Sequence, residues 1–221
     1  MENHKMNPVK QNLRVKQYLG WFLAVIFPFA ARGILDITKR PILSIVIYLG
    51  VCGVLLRYIM EKKLPYFKPK FLNVKKEIIF FILATVFCGY LYIKGYGGYP
   101  INVKQLILNI FIFAILDGSF EHLVWINIFD LAGCKIKIGG IFATFTHVVL
   151  INTLFWSRFL PEPQSNMSLF IIGQGFMLLI PLVMYMKTKD ITIWSIQHII
   201  YNLIGVIFAN FGVGIFLILN K

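Results

Sequence analysis

Apolar residues run through this 221-residue chain in long blocks separated by short charged segments. A helix that crosses a bilayer needs about 20 mostly apolar residues. Eight stretches have that character: 17–35, 41–60, 78–96, 105–130, 138–157, 168–186, 191–208 and a shorter last one at 209–220. The break before the last rests on Asn210 and Gly212, residue types that punctuate helices. Between the blocks, Pro161, Glu162 and Pro163 make a rigid turn within 157–167, and Gly95 to Pro100 reads Gly-Tyr-Gly-Gly-Tyr-Pro, a flexible turn with interfacial tyrosines. The pattern predicts an all-α fold, a polytopic transmembrane helical bundle of about eight spans forming one membrane domain over 1–221, with no internal repeat, low-complexity tail or linker.

Composition supports that class. The chain is 58% hydrophobic and 14% charged, whereas a soluble domain carries about 25% charged residues. So much apolar surface exceeds what one soluble core hides, and lipid is the solvent that removes the need for a polar exterior. The basic start followed by Tyr18–Ala31 has the outline of a signal peptide. However, Arg32 follows the cleavage-like Ala30-Ala31 and later spans would anchor the chain regardless, so the segment is read as an uncleaved first helix.

The net charge of +13 lies in short segments between apolar runs, which is the pattern of membrane topology and argues against nucleic acid as a partner. With the N-terminus inside and eight alternating spans, sixteen Lys and Arg fall inside and six outside, which puts both termini in the cytoplasm. The inside segment 61–77 carries six lysines with Pro65 and Pro69. It either lies on anionic headgroups or is a solvated loop that only sets orientation. Cys52, Cys88 and Cys134 are far apart, odd in number and without metal spacing, and read as free packing cysteines.

Ionisable groups at mid-bilayer cost about 2.5–3.5 kcal/mol on insertion scales. Even so, the fourth stretch holds Asp117, Glu121 and His122, the fifth His147 and the seventh His198, joined by Asn152, Gln197 and Asn202. Asp117 and Glu121 are four apart and share a helix face, as do His198 and Asn202. Carboxylates, imidazoles and a carboxamide from three helices could thus meet at the bundle centre. Two chemistries fit such a set. In one, Glu121 activates a water, with His147 assisting, while other donors hold an oxyanion. In the other, Glu121, His147 and His198 bind zinc, whose water hydrolyses the substrate; no His-Glu-x-x-His stands in the chain to support it. The bland readings are interhelical hydrogen-bonding histidines, a Glu121–His122 pair facing water at a helix end, and an Asp117 that caps or pairs with a lysine.

In order and spacing these residues resemble the CPBP family of intramembrane proteases (Abi and CAAX-processing), whose three motifs are Glu-Glu-x-x-x-Arg, Phe-x-x-x-His and His-x-x-x-Asn. The corresponding segments are Glu121-His122-Leu123-Val124-Trp125-Ile126, Phe142-Ala143-Thr144-Phe145-Thr146-His147 and His198-Ile199-Ile200-Tyr201-Asn202, within a similar core at 105–210. The resemblance implies Glu121 as the water-activating base, His147 as its assistant, and His198 with Asn202 as oxyanion stabilisers, with Asp117 and His122 in support. It implies no obligatory cofactor, since both metal-free and zinc-dependent mechanisms are argued for the family. Departures are His122 for the second glutamate, Ile126 for the arginine, and a phenylalanine one place early at Phe142.

The resulting expectation is an intramembrane endopeptidase, a hydrolase cutting a peptide or membrane-protein substrate near the bilayer, by analogy in bacteriocin maturation or self-immunity. The Ile-, Lys- and Asn-rich composition suits an AT-rich bacterial genome and hence a bacterial plasma membrane. A catalytically inactive member, acting as an immunity or scaffold protein, is the alternative favoured by the altered first motif. A proton-coupled carrier would need repeats and paired broken helices that the sequence does not show.

Overall fold

The computed structural model describes residues 8–95, 102–159, 167–209 and 211–213, and among these every regular element is a helix. Helix α1 (Pro8–Thr38) turns into α2 (Pro41–Glu61) through Lys39 in the left-handed region and an extended Arg40. Residues before proline avoid the helical region and proline favours the first helical position, so Arg40–Pro41 fixes the restart. Lys62, at φ 56°, ends α2 by donating its N–H to the Tyr58 carbonyl at 2.8 Å. A 3₁₀ turn (Phe71–Val74) leads into α3 (Lys75–Gly95). Helix α4 (Val103–Ala132) begins at Asn102, whose side chain caps it by accepting the Lys104 N–H at 2.9 Å. Then come α5 (Lys137–Leu154), a 3₁₀ turn (Trp156–Arg158), α6 (Met167–Thr188) and α7 (Thr192–Phe208).

Helices α1, α2, α4 and α5 are long and apolar enough to cross a membrane, while the described part of α6 (Gly175–Thr188) and α7 are shorter apolar helices. The seven helices fall on the seven longer apolar runs of the sequence. Helix α1 starts some nine residues earlier than its run, because Lys10, Arg14 and Lys16 continue the helix beyond the apolar block. The predicted run 209–220 lies outside the described residues apart from Ala209 and Phe211–Val213, and so do most of the two turns predicted around Tyr96–Pro100 and Pro161–Pro163. Helix α7 does end at Phe208: the Ala209 and Phe211 N–H groups both return to the Gly205 carbonyl. Gly212 meets Asn109 of α4 so closely that a Cβ there would lie 2.1 Å from its amide nitrogen.

Helix α4 is the axis of the bundle, in contact with α1, α2, α5 and α7. Every residue from Glu121 to Phe129 is buried. An apolar-all-round helix belongs inside a bundle, and here its polar residues are buried with it. Both α2 and α4 widen into π-helical stretches, Tyr48–Leu55 and Ile110–Asp117. In the first, the Cys52 and Gly53 carbonyls accept the two N–H bonds of Asn127, at 3.0 and 2.9 Å. A side chain from the neighbouring helix thus satisfies backbone groups at the widened turn, as a bilayer interior demands.

The chain ends assigned to the inside, those of α2, α4 and α6, gather at one end of the bundle. There Arg57 is buried and donates to Asp130 at 2.8 Å and to the Tyr185 hydroxyl at 2.9 Å. At the opposite end Arg32 bonds Asp36 and the Leu154 carbonyl.

Candidate functional site

Helix α4 carries Asp117 and Glu121 one turn apart, and α7 carries His198 and Asn202 with the same spacing. The two helices meet where Gly118 lies against Ile199: a Cβ on Gly118 would fall 2.8 Å from the Ile199 backbone nitrogen and Cα. Removing that Cβ is what brings the two polar faces into register. His198 Nε2 then lies 3.5 Å from Glu121 Oε2 and 3.7 Å from Asp117 Oδ2. One ligand-type atom from each of Asp117, Glu121 and His198 falls within 4.8 Å of the others. Asp117 and Glu121 are only 2% and 3% exposed, so Glu121 does not face water at a helix end.

The remaining polar atoms hold this trio in place. Asn202 donates one amide hydrogen to Asp117 Oδ2 at 2.9 Å and the other to the Phe113 carbonyl at 2.8 Å. The Phe113 carbonyl belongs to the π-helical stretch that ends at Asp117. The Trp156 indole N–H donates to Glu121 Oε1 at 2.6 Å. With Oε1 bound, Oε2 is the oxygen left facing His198. Behind His198, His122 Nε2 is 3.1 Å from His198 Nδ1. A His198 that presents its Nε2 hydrogen to the carboxylates has a bare Nδ1, so His122 Nε2–H is the donor. The His122 ring is wedged against Trp125 and Trp194, with centroids at 5.0 and 4.3 Å.

His147 stands apart from this group. Its Nδ1 is 3.2 Å from the Ala24 carbonyl, an acceptor, so that nitrogen carries the proton. Its Nε2 therefore accepts from the Tyr48 hydroxyl at 2.8 Å. Both ring nitrogens are engaged, and His147 does not line the cavity beside the trio. In the metal-ligand geometry, the position expected for His147 is taken by Asp117, because α5 turns His147 toward α1 and α2. The Asn202 amide, expected to meet an oxyanion, is likewise committed to Asp117 and Phe113. Gln197 points to the α3 and α6 side, bonding Thr85 and Met177. Tyr48 and Trp156 were not anticipated. Both sit within or beside apolar runs, where an aromatic residue carries no polar signal in a hydropathy pattern.

A cavity of about 60 Å³ opens onto the trio. It is lined by Asp117, Glu121 and His198 on one side and by Trp125, Trp156 and Phe211 among its apolar walls, with exposed Asn152 also on its border. That is room for a few water molecules. Asp117 Oδ1 and His122 Nδ1 are buried without a partner among the described residues, and such groups call for water or an ion. Two carboxylate oxygens and an imidazole nitrogen so spaced also fit a divalent cation such as zinc. Compared with known protein families, curated proteins and solved structures, the chain matches none.

Proposed function

We propose that the chain is a multi-pass protein of a bacterial plasma membrane, with about eight spans and both termini cytoplasmic, and that it hydrolyses a peptide bond of a membrane-associated substrate in the manner of CPBP-type proteases. The observation that carries this reading is the convergence of Glu121, Asp117 and His198 beside a water-sized cavity inside an otherwise apolar bundle. Three ionisable groups held together there are costly unless they are used. Glu121 lies eleven residues from the end of α4, about 16 Å along its axis, near the depth of a bilayer midplane.

In this reading Glu121 Oε2 takes a proton from a cavity water as its oxygen attacks the scissile carbonyl carbon. His198 Nε2–H meets the oxygen that becomes negative, and Glu121 passes its proton to the departing amine nitrogen. Trp156 fixes the rotamer of Glu121, His122 fixes the tautomer of His198, and Asn202 positions Asp117. Were the activator zinc, Asp117, Glu121 and His198 would hold it, and the ion would supply Lewis acidity to water or carbonyl.

The size of the cavity favours a second reading, a non-catalytic immunity or scaffold protein, because about 60 Å³ seats water but no peptide. The two readings separate in one experiment. Membranes from cells expressing the parent, Glu121→Gln or His198→Ala at matched levels are surveyed for new protein N-termini. A protease yields N-termini that fall by about 10²–10⁴ in rate of appearance in both variants. Identical N-termini in all three membranes would sink the hydrolase reading.

A further inference from the structure

Segment 62–70 is tied to the bundle at every turn. The Phe67 N–H donates to Thr192 Oγ1 at 2.7 Å, the Lys68 N–H to Asp190 Oδ2 at 2.9 Å, and the Ile191 N–H to the Pro65 carbonyl at 2.9 Å. The Tyr66 hydroxyl donates to the Ser119 carbonyl. Phe67 itself is held at φ 64°, a conformation that bulky residues rarely adopt. So tightly built a segment is more than a solvated connection that orients the chain.

With the turn after α6 it encloses a bowl of about 570 Å³. Five cations line it, Arg57, Lys63, Lys68, Lys70 and Lys189, against Glu61, Asp130 and Asp190. Two of those carboxylates are already engaged: Asp130 takes Arg57 and the Tyr185 hydroxyl, and Asp190 takes the N–H groups of Lys68 and Thr192. Lys189 lies over the Tyr185 ring and 3.6 Å from Asp130. Among the described residues, Lys63, Lys68 and Lys70 have no ion pair. Arg57 is 5% exposed, and its Nε has no acceptor. A buried guanidinium donor left without a partner among the described residues is unfavourable, and an anion in the bowl would supply the acceptor.

We infer that this bowl is a binding site for an anionic phosphate group, carried either by a phospholipid headgroup or by a soluble phosphate ester. Arg57 and Tyr185 form its polar floor, and five cations against three carboxylates leave the bowl a surplus of two positive charges, with Lys63, Lys68 and Lys70 the cations that have no ion pair among the described residues. The inference stands apart from the hydrolase reading, since none of its residues touches the Glu121 trio.

The test uses the full chain in detergent, with phosphatidylglycerol, phosphatidylcholine and inorganic phosphate as probes and retained ligand read by native mass spectrometry. The parent is expected to retain phosphatidylglycerol or inorganic phosphate in preference to phosphatidylcholine. Lys68→Gln/Lys70→Gln should weaken retention about 25-fold, about fivefold per lysine. Lys75→Gln/Lys76→Gln removes the same charge from the same segment but outside the bowl, and should bind like the parent. Displacement of the lipid by inorganic phosphate identifies a soluble ester as the source; retention against it identifies the headgroup. Equal losses in the two double variants, or no binding of either anion by the parent, would overturn the site.

Discussion

At the scale of single residues, the trio depends on the groups that hold it in place. Asn202 spends both amide hydrogens on α4, so Asn202→Ala leaves Asp117 Oδ2 and the Phe113 carbonyl without that donor in the buried bundle centre. We expect a loss of about 1–3 kcal/mol in stability, read as a lower melting temperature in detergent, and a loss of activity larger than unfolding accounts for. Trp156→Phe keeps the ring packing against Phe113 and Phe211 but deletes the donor to Glu121 Oε1. On the proposed hydrolase reading it should lower the rate by more than the accompanying loss of stability, about 1–3 kcal/mol, accounts for. An equal fall in both would assign Trp156 to packing alone. The four-residue spacings in the sequence made Asp117 with Glu121, and His198 with Asn202, legible as shared faces. Rotation of α5 was not legible, because the residues around His147 are mostly apolar, with only Thr144 and Thr146 beside it, and nothing in the pattern says which neighbour it meets. Arg57 was readable only as a charge near a span end, although its burial against Asp130 and Tyr185 makes it part of the core.

At the scale of elements, apolar runs locate helices well because length and hydropathy decide what lipid accepts. They say nothing of local winding. The π-helical stretches have no signature in this chain: Tyr48–Leu55 and Ile110–Asp117 read as ordinary apolar helix. Their partners are the only trace, and Asn127 was not singled out even though it satisfies the carbonyls of the first. The α4–α7 crossing depends on one missing side chain. Gly118→Val should push Ile199 away and separate the trio, giving a melting temperature lowered by the equivalent of about 1–3 kcal/mol together with loss of activity. Gly50→Ala, in α2, has nothing within 4 Å of the new Cβ and should be neutral or slightly stabilising. Similar behaviour of the two variants would mean that the close approach at Gly118 is dispensable.

At the scale of the whole molecule, two polar centres share one apolar bundle, and Tyr66 joins them. Its hydroxyl reaches the Ser119 carbonyl, two residues before Glu121, and Ser195 Oγ reaches the same carbonyl at 3.4 Å. The basic end is held by a buried ion pair, which is costly to break from one side. Arg57→Leu should lose about 1–3 kcal/mol, because Asp130 then keeps only the Tyr185 hydroxyl and the more distant Lys189, while Arg57→Leu/Asp130→Leu should regain part of it. Thermal unfolding of Arg57→Leu, Asp130→Leu and the double variant in the same detergent closes the cycle, and a double-variant loss equal to the sum of the two single losses would mean that the pair carries no coupling. Three of the four tryptophans, Trp125, Trp156 and Trp194, surround the trio: one lines its cavity, one bonds Glu121 and one lies on His122. Three of the four indoles of the chain therefore stand around the trio. The molecule carries an unlabelled optical reporter there, whose colour and intensity follow whatever enters the cavity.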